Sequence, residues 1–173
     1  MAKRIFNTYN QSWTASAANS AIASAATYMS IVGGNTTQVC DILEVAVSGL
    51  ASASTIGAFE LVPASTLGTG SSSISAIGTD GPMNVNATAL ATTMIPANTY
   101  ATTQPTPSSS TTVPRLNLTI NMFGGIFRWN AAPTQQITIV GNATSTGNVV
   151  LYNSSTGGGA TGSANAHIIY EPY

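Results

Sequence analysis

Apolar and polar residues alternate along much of the chain, with the period of two that is typical of β-strands. The strictest alternation covers residues 116–122. Its apolar positions are Leu116, Leu118, Ile120 and Met122, and the polar positions between them are Asn117, Thr119 and Asn121. This segment is therefore predicted to be a strand with one face toward the core and the other toward solvent.

Further segments have strand composition and are separated by residues that favour turns. They cover residues 4–9, 27–32, 37–49, 54–63, 136–140, 148–152 and 166–171. About eight to ten short strands with turn signals between them are typical of an antiparallel β-sandwich or jelly roll. We therefore predict an all-β fold, and the lack of a clear fixed repeat disfavours a propeller or a solenoid.

The run 37–49 has an apolar face that is interrupted by a charge. Period two predicts that this face carries Val39, Leu43, Val45 and Val47. Asp41 falls in the same phase, which indicates a sheet edge, an interface or a bulge, and Glu44 falls in the opposite phase. The Gly-Gly-Asn at residues 33–35, just before this run, favours a hairpin with the run 27–32.

A second hairpin is predicted at the glycine pair 124–125, which follows the alternating segment. If these glycines form a two-residue turn, Met122 pairs with Phe127 and Ile120 pairs with Trp129. Cross-strand partners share a face, so this register collects the apolar side chains on one side of the hairpin and the polar ones on the other.

The N-terminal segment, residues 1–26, has a different composition from the rest. It begins with the short strand-like piece and continues as an Ala/Ser tract in which helix-favouring alanine alternates with helix-weakening serine. We predict an extended or partly helical arm over residues 1–26, followed by one domain over residues 27–173.

Several stretches of that domain are predicted to lack regular structure. Residues 64–82 are loop-like, with room for one short strand around 74–77, and residues 83–95 suit either a short helix or a strand. Residues 96–114 contain four prolines among many Ser and Thr residues, which indicates a long exposed loop.

Charge is scarce. The 173 residues include four basic and five acidic residues, for a net charge of −1, whereas about a quarter of an average soluble protein is charged. The chain therefore has no electrostatic field that would attract nucleic acid, and the basic pair Lys3-Arg4 is a weak footprint. A neutral polar surface also makes contacts that salt hardly screens.

Neither a membrane span nor a signal peptide is predicted. No uninterrupted apolar run reaches the roughly 18 residues that a membrane helix needs. The basic start of the chain is followed by polar residues rather than by the apolar region of a signal peptide. We therefore predict synthesis in the cytoplasm and no membrane partner.

Candidate chemistry centres on the one histidine, His167, and the one cysteine, Cys40. A nucleophilic dyad would bring these two together, with Glu44 or Asp41 as the orienting group. We favour the simpler interpretation of Cys40 as a small core residue and His167 as a surface or interface imidazole.

Other kinds of active site find even less support. Asp41 and Glu44, three apart on a strand, are predicted to project from opposite faces, which does not suit paired-carboxylate chemistry. One histidine and one cysteine cannot build a structural zinc site. We therefore predict no catalytic residue, no metal ligand and no cofactor, and a protein that is not an enzyme.

Aromatic residues are the best candidates for contacts with other molecules, because they anchor interfaces. Trp129 is predicted to lie in the core, since it falls on the apolar face of its segment. The remaining candidates are Tyr9, Trp13, Tyr100, Tyr152, Tyr170 and Tyr173.

Four segments carry a family resemblance. They are Tyr28-Met-Ser-Ile-Val-Gly-Gly, Ile42-Leu-Glu-Val-Ala-Val-Ser-Gly, Met122-Phe-Gly-Gly-Ile-Phe-Arg-Trp-Asn-Ala-Ala-Pro and His167-Ile-Ile-Tyr-Glu-Pro-Tyr. Together they resemble small proteins encoded by tailed bacteriophages, and the composition is similar to that of capsid decoration (cement) proteins, which are β-rich and often trimeric. The resemblance lies mainly in residues 27–62 and 115–173, and none of its motifs is catalytic.

The resemblance implies a structural protein of the virion that binds the outer head lattice and stabilises contacts between capsomers. Its expected partners are other copies of itself, as a homotrimer, and a major capsid protein. Two alternatives stay open: another surface-lattice, tail or fibre protein, and a carbohydrate-binding module of the jelly-roll type with a glycan partner. An enzyme is the least favoured reading.

Overall fold

A computed structural model of the chain describes residues 6–13, 27–33, 39–63, 69–73, 81–82, 94–103, 114–140, 148–153 and 164–172. Twelve strands and no helix occur within these ranges. The strands are β1 (Phe6–Trp13), β2 (Thr27–Gly33), β3 (Val39–Leu50), β4 (Ile56–Pro63), β5 (Thr69–Ser73), β6 (Gly81–Pro82), β7 (Met94–Thr103), β8 (Leu116–Asn121), β9 (Phe123–Asn130), β10 (Ile137–Val140), β11 (Asn148–Asn153) and β12 (Ala164–Pro172). The all-β class is confirmed, with more strands than the eight to ten predicted.

The strands form two antiparallel six-stranded sheets. Sheet A has the order β10-β3-β12-β1-β6, and sheet B has the order β5-β7-β2-β11-β4-β8. The sixth strand of sheet A, β9, also pairs with β3. One side of β3 therefore holds β10 along residues 39–42 and β9 along residues 44–50.

A single cluster of buried apolar side chains is shared by the two sheets. Its largest fully buried members are Tyr170, Phe59, Met29, Ile31, Ile42, Leu61, Met122 and Leu151. The contributing strands alternate between buried and more exposed residues, which is the pattern of sheets with one face on a core. Burial of these side chains, at about 25 cal/mol per Å² of apolar surface, is the main driving force for this arrangement.

The core face of β3 changes phase part-way along the strand. Cys40 and Ile42 are buried, and so are Val45 and Val47, so the period of two is interrupted between Ile42 and Val45. The register between β3 and β12 shifts at the same place. An extra residue in one strand of a pair is a β-bulge, and it exchanges the two faces of the strand beyond it.

Because of this bulge, two predictions about β3 are wrong, and the position of Asp41 in an apolar phase is explained. Val39 and Leu43 are only half-buried, so the prediction that they share the core face with the later valines is wrong. Asp41 and Glu44 both project away from the core, where they bond side chains of neighbouring strands, so the prediction that they lie on opposite faces is also wrong. The charge of Asp41 in an apolar phase is explained by the bulge.

The hairpin predicted at residues 124–125 is wrong, because β8 and β9 belong to different sheets. β8 pairs with β4 in sheet B, and β9 pairs with β3 in sheet A. The chain crosses between the sheets at Met122, whose N–H donates to the Thr55 carbonyl and whose carbonyl accepts from the Ala51 N–H, both at 2.8 Å. The β3–β4 connection thus holds the β8–β9 crossing in place.

The glycine pair of that segment forms a bulge at the start of β9. Gly124 has a φ of 75°, in the left-handed region that glycine adopts without strain. Ser48 pairs with Ile126 and Leu50 pairs with Phe123, so β9 has one more residue than β3 over this stretch. An αL glycine at such a position is a common form of β-bulge.

The other predicted hairpin, at residues 33–35, is wrong for a similar reason. β2 lies in sheet B between β7 and β11, whereas β3 lies in sheet A. Residues 34–38, which connect them, lie outside the described residues.

The long loop predicted over residues 96–114 is wrong for its first part, since residues 96–103 belong to β7. Pro96 pairs with Ile31 of β2, while β5 pairs with β7 only from Ala97 onward. Pro96 therefore sits where one edge of β7 has no partner among the described strands, and a strand tolerates proline there. Residues 104–113 lie outside the described residues.

The segment 64–82, predicted to be loop-like, also contributes to the sheets. β5 pairs with β7, and the two residues of β6 pair with β1. The short strand predicted at 74–77 and the segment 83–93 lie outside the described residues.

Within the predicted N-terminal arm, the strand-like piece is part of sheet A. β1 lies between β12 and β6, with Phe6 opposite Tyr170 and Asn10 opposite Ala166. The boundary predicted at residue 26 thus does not separate β1 from the sheets. Residues 14–26 lie outside the described residues.

Candidate functional site

A cluster of three ionisable side chains lies on the face of sheet A that points away from the core. Arg128 of β9 and His167 of β12 are both register partners of Ala46, on the strand between them. Glu44 lies two residues before Ala46 on the same strand. The small Ala46 side chain leaves space in which the arginine and the histidine reach this carboxylate from both sides.

The Glu44 carboxylate accepts hydrogen bonds from three nitrogen donors. Arg128 is bidentate, with Nε 2.8 Å from Oε1 and Nη2 2.7 Å from Oε2. Nε2 of His167 lies 2.6 Å from Oε1. An ionised carboxylate can only accept, so this histidine nitrogen carries the hydrogen.

The electrostatics of the cluster favour an ionised glutamate. The hydrogen bond from Arg128 lowers the pKa of Glu44 below its usual value, and the His167 hydrogen bond adds to this, while partial burial acts in the opposite direction. The Glu44 side chain is 8% exposed, against 61% for Arg128 and 35% for His167. The carboxylate is thus nearly covered by partners that themselves reach solvent.

This geometry suits a structural role better than acid–base chemistry. A carboxylate that already accepts three N–H groups and has a lowered pKa is a weak base. Arg128 donates through two of its nitrogens and His167 through one to this same carboxylate. The cluster therefore ties β9, β3 and β12 together across the outer face of sheet A.

The candidate dyad of Cys40 and His167 does not form. Cys40 pairs with Pro172 and His167 pairs with Ala46, so their positions lie six residues apart along β3, a rise of about 20 Å. Cys40 is also fully buried, whereas His167 is on the outer face. Of the two orienting groups considered, Glu44 is the one that contacts His167.

Cys40 is a core residue, as predicted. Its burial, with a further contribution from the charge of Asp41, raises the pKa of the thiol. The thiolate is the reactive form of cysteine, so a buried thiol with a raised pKa is chemically inert in the folded protein.

Asp41 takes part in a separate polar contact at the other end of β3. Thr138 of β10 donates its hydroxyl to Oδ1 of Asp41 at 2.6 Å, and the two residues are register partners. Across the described ranges, no group of three or more His, Cys, Asp or Glu residues is arranged to hold a metal ion. A helix long and apolar enough to span a membrane is likewise absent from the described part of the chain.

The aromatic predictions have mixed outcomes. Trp129 is partly buried and packs against the core, in agreement with its predicted face. Tyr170 is fully buried, so its prediction as an interface residue is wrong: β12 lies inside sheet A, and every second residue of it faces the core. The side chains of the other five interface candidates lie outside what the structure describes.

The sequence suggested Glu44 as a partner of His167 only as an orienting group in the candidate dyad, and it did not connect Arg128 with either residue. A usable signal was present, because Glu44, Arg128 and His167 each stand between two apolar residues of a strand. A charge in such a position needs a partner on a neighbouring strand. The missing information was the strand order, which places β3 between β9 and β12.

Comparison with known proteins assigns no family. No family model matches the chain, and no curated protein matches it. The functional interpretation therefore depends on the chemistry of the residues and on the arrangement of the strands.

The pH dependence of stability is expected to report the Glu44 cluster. Because the folded pKa of Glu44 is lowered, its stabilising contribution is present above the pKa of an unfolded glutamate, about 4.3, and is lost as the pH falls through the folded value. Glu44→Gln should lower the free energy of unfolding by about 1–2 kcal/mol at pH 7, discounted for the exposed partners. Denaturant unfolding of both proteins from pH 3 to 7 measures this.

The difference between wild type and Glu44→Gln should shrink as the pH falls below 4.3. Arg115→Gln is the matched control, because Arg115 is an exposed arginine beside β8, in the other sheet. Its effect should be within about 0.5 kcal/mol and independent of pH. A Glu44→Gln effect that stays constant over this pH range would show that the carboxylate charge does not stabilise the fold.

Proposed function

We propose that the protein is a structural component of a bacteriophage virion, a capsid decoration protein that binds the outer head lattice and stabilises contacts between capsomers. The observation that carries this proposal is an exposed surface made of neutral polar residues. On β8 the outward positions, where charges are usual, are Asn117, Thr119 and Asn121, and all three are exposed. The neighbouring residues Leu118 and Ile120 are buried.

Some of the ionisable residues support the same proposal, because they are already bonded to other residues of the chain or buried. Arg128 and His167 are bound to Glu44, and the Cys40 thiol is buried. A surface of amides and hydroxyls offers hydrogen bonds to a neighbour without a strong dependence on salt. Such contacts suit a lattice, in which many weak contacts add up through multivalency.

We further propose that the two sheets form a β-sandwich of the jelly-roll type, with part of the N-terminal segment acting as an arm. The shared core and the antiparallel pairing support the sandwich. Because β1 is a strand of sheet A, the arm is limited to residues outside 6–13. The protein would assemble as a homotrimer by closed symmetry and contact the major capsid protein of the head, without enzymatic activity.

The test is binding to heads assembled without this protein. Size-exclusion chromatography with light scattering gives the mass of the purified chain, and co-sedimentation with heads of the same phage gives binding. We expect a trimer that co-sediments and stabilises the heads against heat. Binding should change little between about 0.05 M and 0.5 M salt, because few charges are available to be screened.

Two outcomes would contradict this proposal. A monomer that ignores the heads but polymerises with itself would favour a filament or fibre protein. Retention on a glycan array, with no binding to heads, would favour a carbohydrate-binding module. Bovine serum albumin in place of the chain is the control for non-specific co-sedimentation.

A further inference from the structure

The exposed apolar residues of the described chain gather at one corner of the fold. Leu50, Ile56, Phe123 and Ile126 are the large apolar side chains with high exposure there, and Ile126 is 77% exposed. Leu50 and Phe123 are register partners across β3 and β9. All four stand beside the crossing at Met122, three on sheet A and one on β4 of sheet B.

β9 itself is an edge strand with few of the usual protections. Among the described strands, β3 alone pairs with it. Beyond the bulge at its start, β9 contains no proline, lysine or register shift, which are the features that normally prevent edge pairing. Its outward residue Ile126 is apolar, and its core-side residues Phe127 and Trp129 are only partly buried.

A comparison with β8 shows that an edge position alone does not cause this exposure of apolar side chains. β8 is the edge strand of sheet B, yet its core-side residues Leu118 and Ile120 are 3% and 7% exposed. The outward residues of β8 are polar. On β9, in contrast, Phe127 and Trp129 are partly exposed on the core side, and Ile126 is exposed on the outer side.

We propose that the β9 edge is a pairing surface for the β9 edge of a second copy of this chain, related by a two-fold axis. Two antiparallel β9 strands would join two copies of sheet A into one continuous sheet. A two-fold axis perpendicular to the sheet keeps the outer faces on the same side. With the axis beside Ile126, the Ile126 side chains of the two copies meet on the outer face, and Phe123 of each copy lies at the level of Trp129 of the other.

The other edges of the described sheets explain why the partner is the same edge. β6 has two residues and ends in Pro82, and β5 pairs with β7 through two register shifts. β10 has four residues, and β8 offers a polar outer row. Among the described edges, β9 is thus the one that combines length with exposed apolar side chains, so the same edge of a second copy is its best match, and such a contact is isologous.

The charge of the edge agrees with self-pairing. Arg128 is the one charged residue of β9, and like charges that face each other across a two-fold axis repel. Its guanidinium is bound to the Glu44 carboxylate of the neighbouring strand. Two β9 edges therefore meet as nearly neutral surfaces, and main-chain hydrogen bonds supply the pairing.

The test is the mass of the purified chain as a function of concentration. We expect light scattering to show a reversible doubling of the mass of the smallest species, from monomer to dimer or, for the proposed homotrimer, from trimer to a hexamer with three-fold and two-fold axes. Ile126→Lys should raise the dissociation constant of this step at least about tenfold, since it places two equivalent charges near the axis. Thr119→Lys, on the exposed face of β8, is the matched control and should behave as the wild type.

A second measurement protects the test against a folding defect in the lysine variant. Amide hydrogen exchange of the wild type should show that β9 becomes more protected as the concentration rises, while β8 does not change. A wild-type mass that is independent of concentration and of Ile126→Lys, with unchanged β9 exchange, would overturn the proposal. This result needs no heads, so it is independent of the test of head binding.

Discussion

Replacing Gly49 by alanine should destabilise the protein by about 3 kcal/mol or more, because the new methyl group has no space. A Cβ at this position would overlap the carbonyl oxygen and Cα of Met122 and would lie 2.5 Å from its carbonyl carbon. These are backbone atoms, so no side-chain rotation relieves the overlap. Thermal and denaturant unfolding measure the loss, with an expected fall in Tm of about 6–12 °C or more.

The backbone of Met122 cannot move away easily. Its N–H and carbonyl are bonded to Thr55 and Ala51, and its side chain is fully buried. Displacing it would break both hydrogen bonds and disturb the crossing between the sheets. Gly49→Ala therefore tests the packing of β3 against the backbone of Met122 together with the two hydrogen bonds that hold this backbone in place.

Gly124→Ala is the matched control for this prediction. Gly124 lies two residues from Met122, and a Cβ built on it meets no atom within 4 Å. Its cost comes only from the φ of 75°, about 1 kcal/mol for a residue other than glycine. If Gly49→Ala proved no more destabilising than Gly124→Ala, the close approach of β3 to Met122 would be wrong.

The same corner shows what an alternating pattern can and cannot predict. The alternation of β8 correctly identifies Leu118 and Ile120 as core residues, and Phe127 and Trp129 of β9 also face the core. These side chains would face the core in a hairpin, and they also face the core when the chain crosses from one sheet to the other. The pattern therefore predicts faces, while the choice of partner strand depends on contacts far away in the chain.

Local chemistry also suits both arrangements. A glycine pair favours a tight turn, but at this position Gly124 supplies the αL residue of a bulge. The side-chain oxygen of Asn121 accepts the Phe123 N–H at 2.9 Å, a local bond typical of a bend. The prediction of a hairpin was wrong because both chain geometries use the same residue types.

Errors elsewhere in the fold have equally specific causes. In β3, one inserted residue reverses the faces, so the pattern holds for Val45 and Val47 but fails for Val39. In β7, Pro96 indicated a loop, although its position beside an incomplete partner strand tolerates it. Strands with regular composition, such as β11, were predicted within a residue or two.

The candidate site was less predictable than the fold. Glu44 and Arg128 are 84 residues apart, and Glu44 and His167 are 123 apart. Their meeting depends on β3 lying between β9 and β12, which no local signal specifies. Scarcity of charge led to the prediction of no catalytic residue, and it could not show that three of the few ionisable groups share one hydrogen-bonded cluster.

Replacing Phe59 by alanine should remove about 3–5 kcal/mol from the free energy of unfolding, because it leaves a cavity in the shared core. Phe59 is fully buried on β4, between β8 and β11, where its register partners are Leu118 and Asn153. A Cβ built on Gly57 would lie 2.9 Å from Cε2 of the Phe59 ring. The ring therefore packs directly over this glycine.

The matched control is Ile56→Ala on the same strand. Ile56 is 68% exposed, so its truncation removes little buried surface and should change stability by no more than about 0.5 kcal/mol. Urea unfolding at one pH compares the two variants with the wild type. Equal effects would mean that the two sheets do not share a core around Phe59. A large Phe59→Ala effect beside a neutral Ile56→Ala would show that folding depends on the ring in the core and not on the exposed Ile56 side chain.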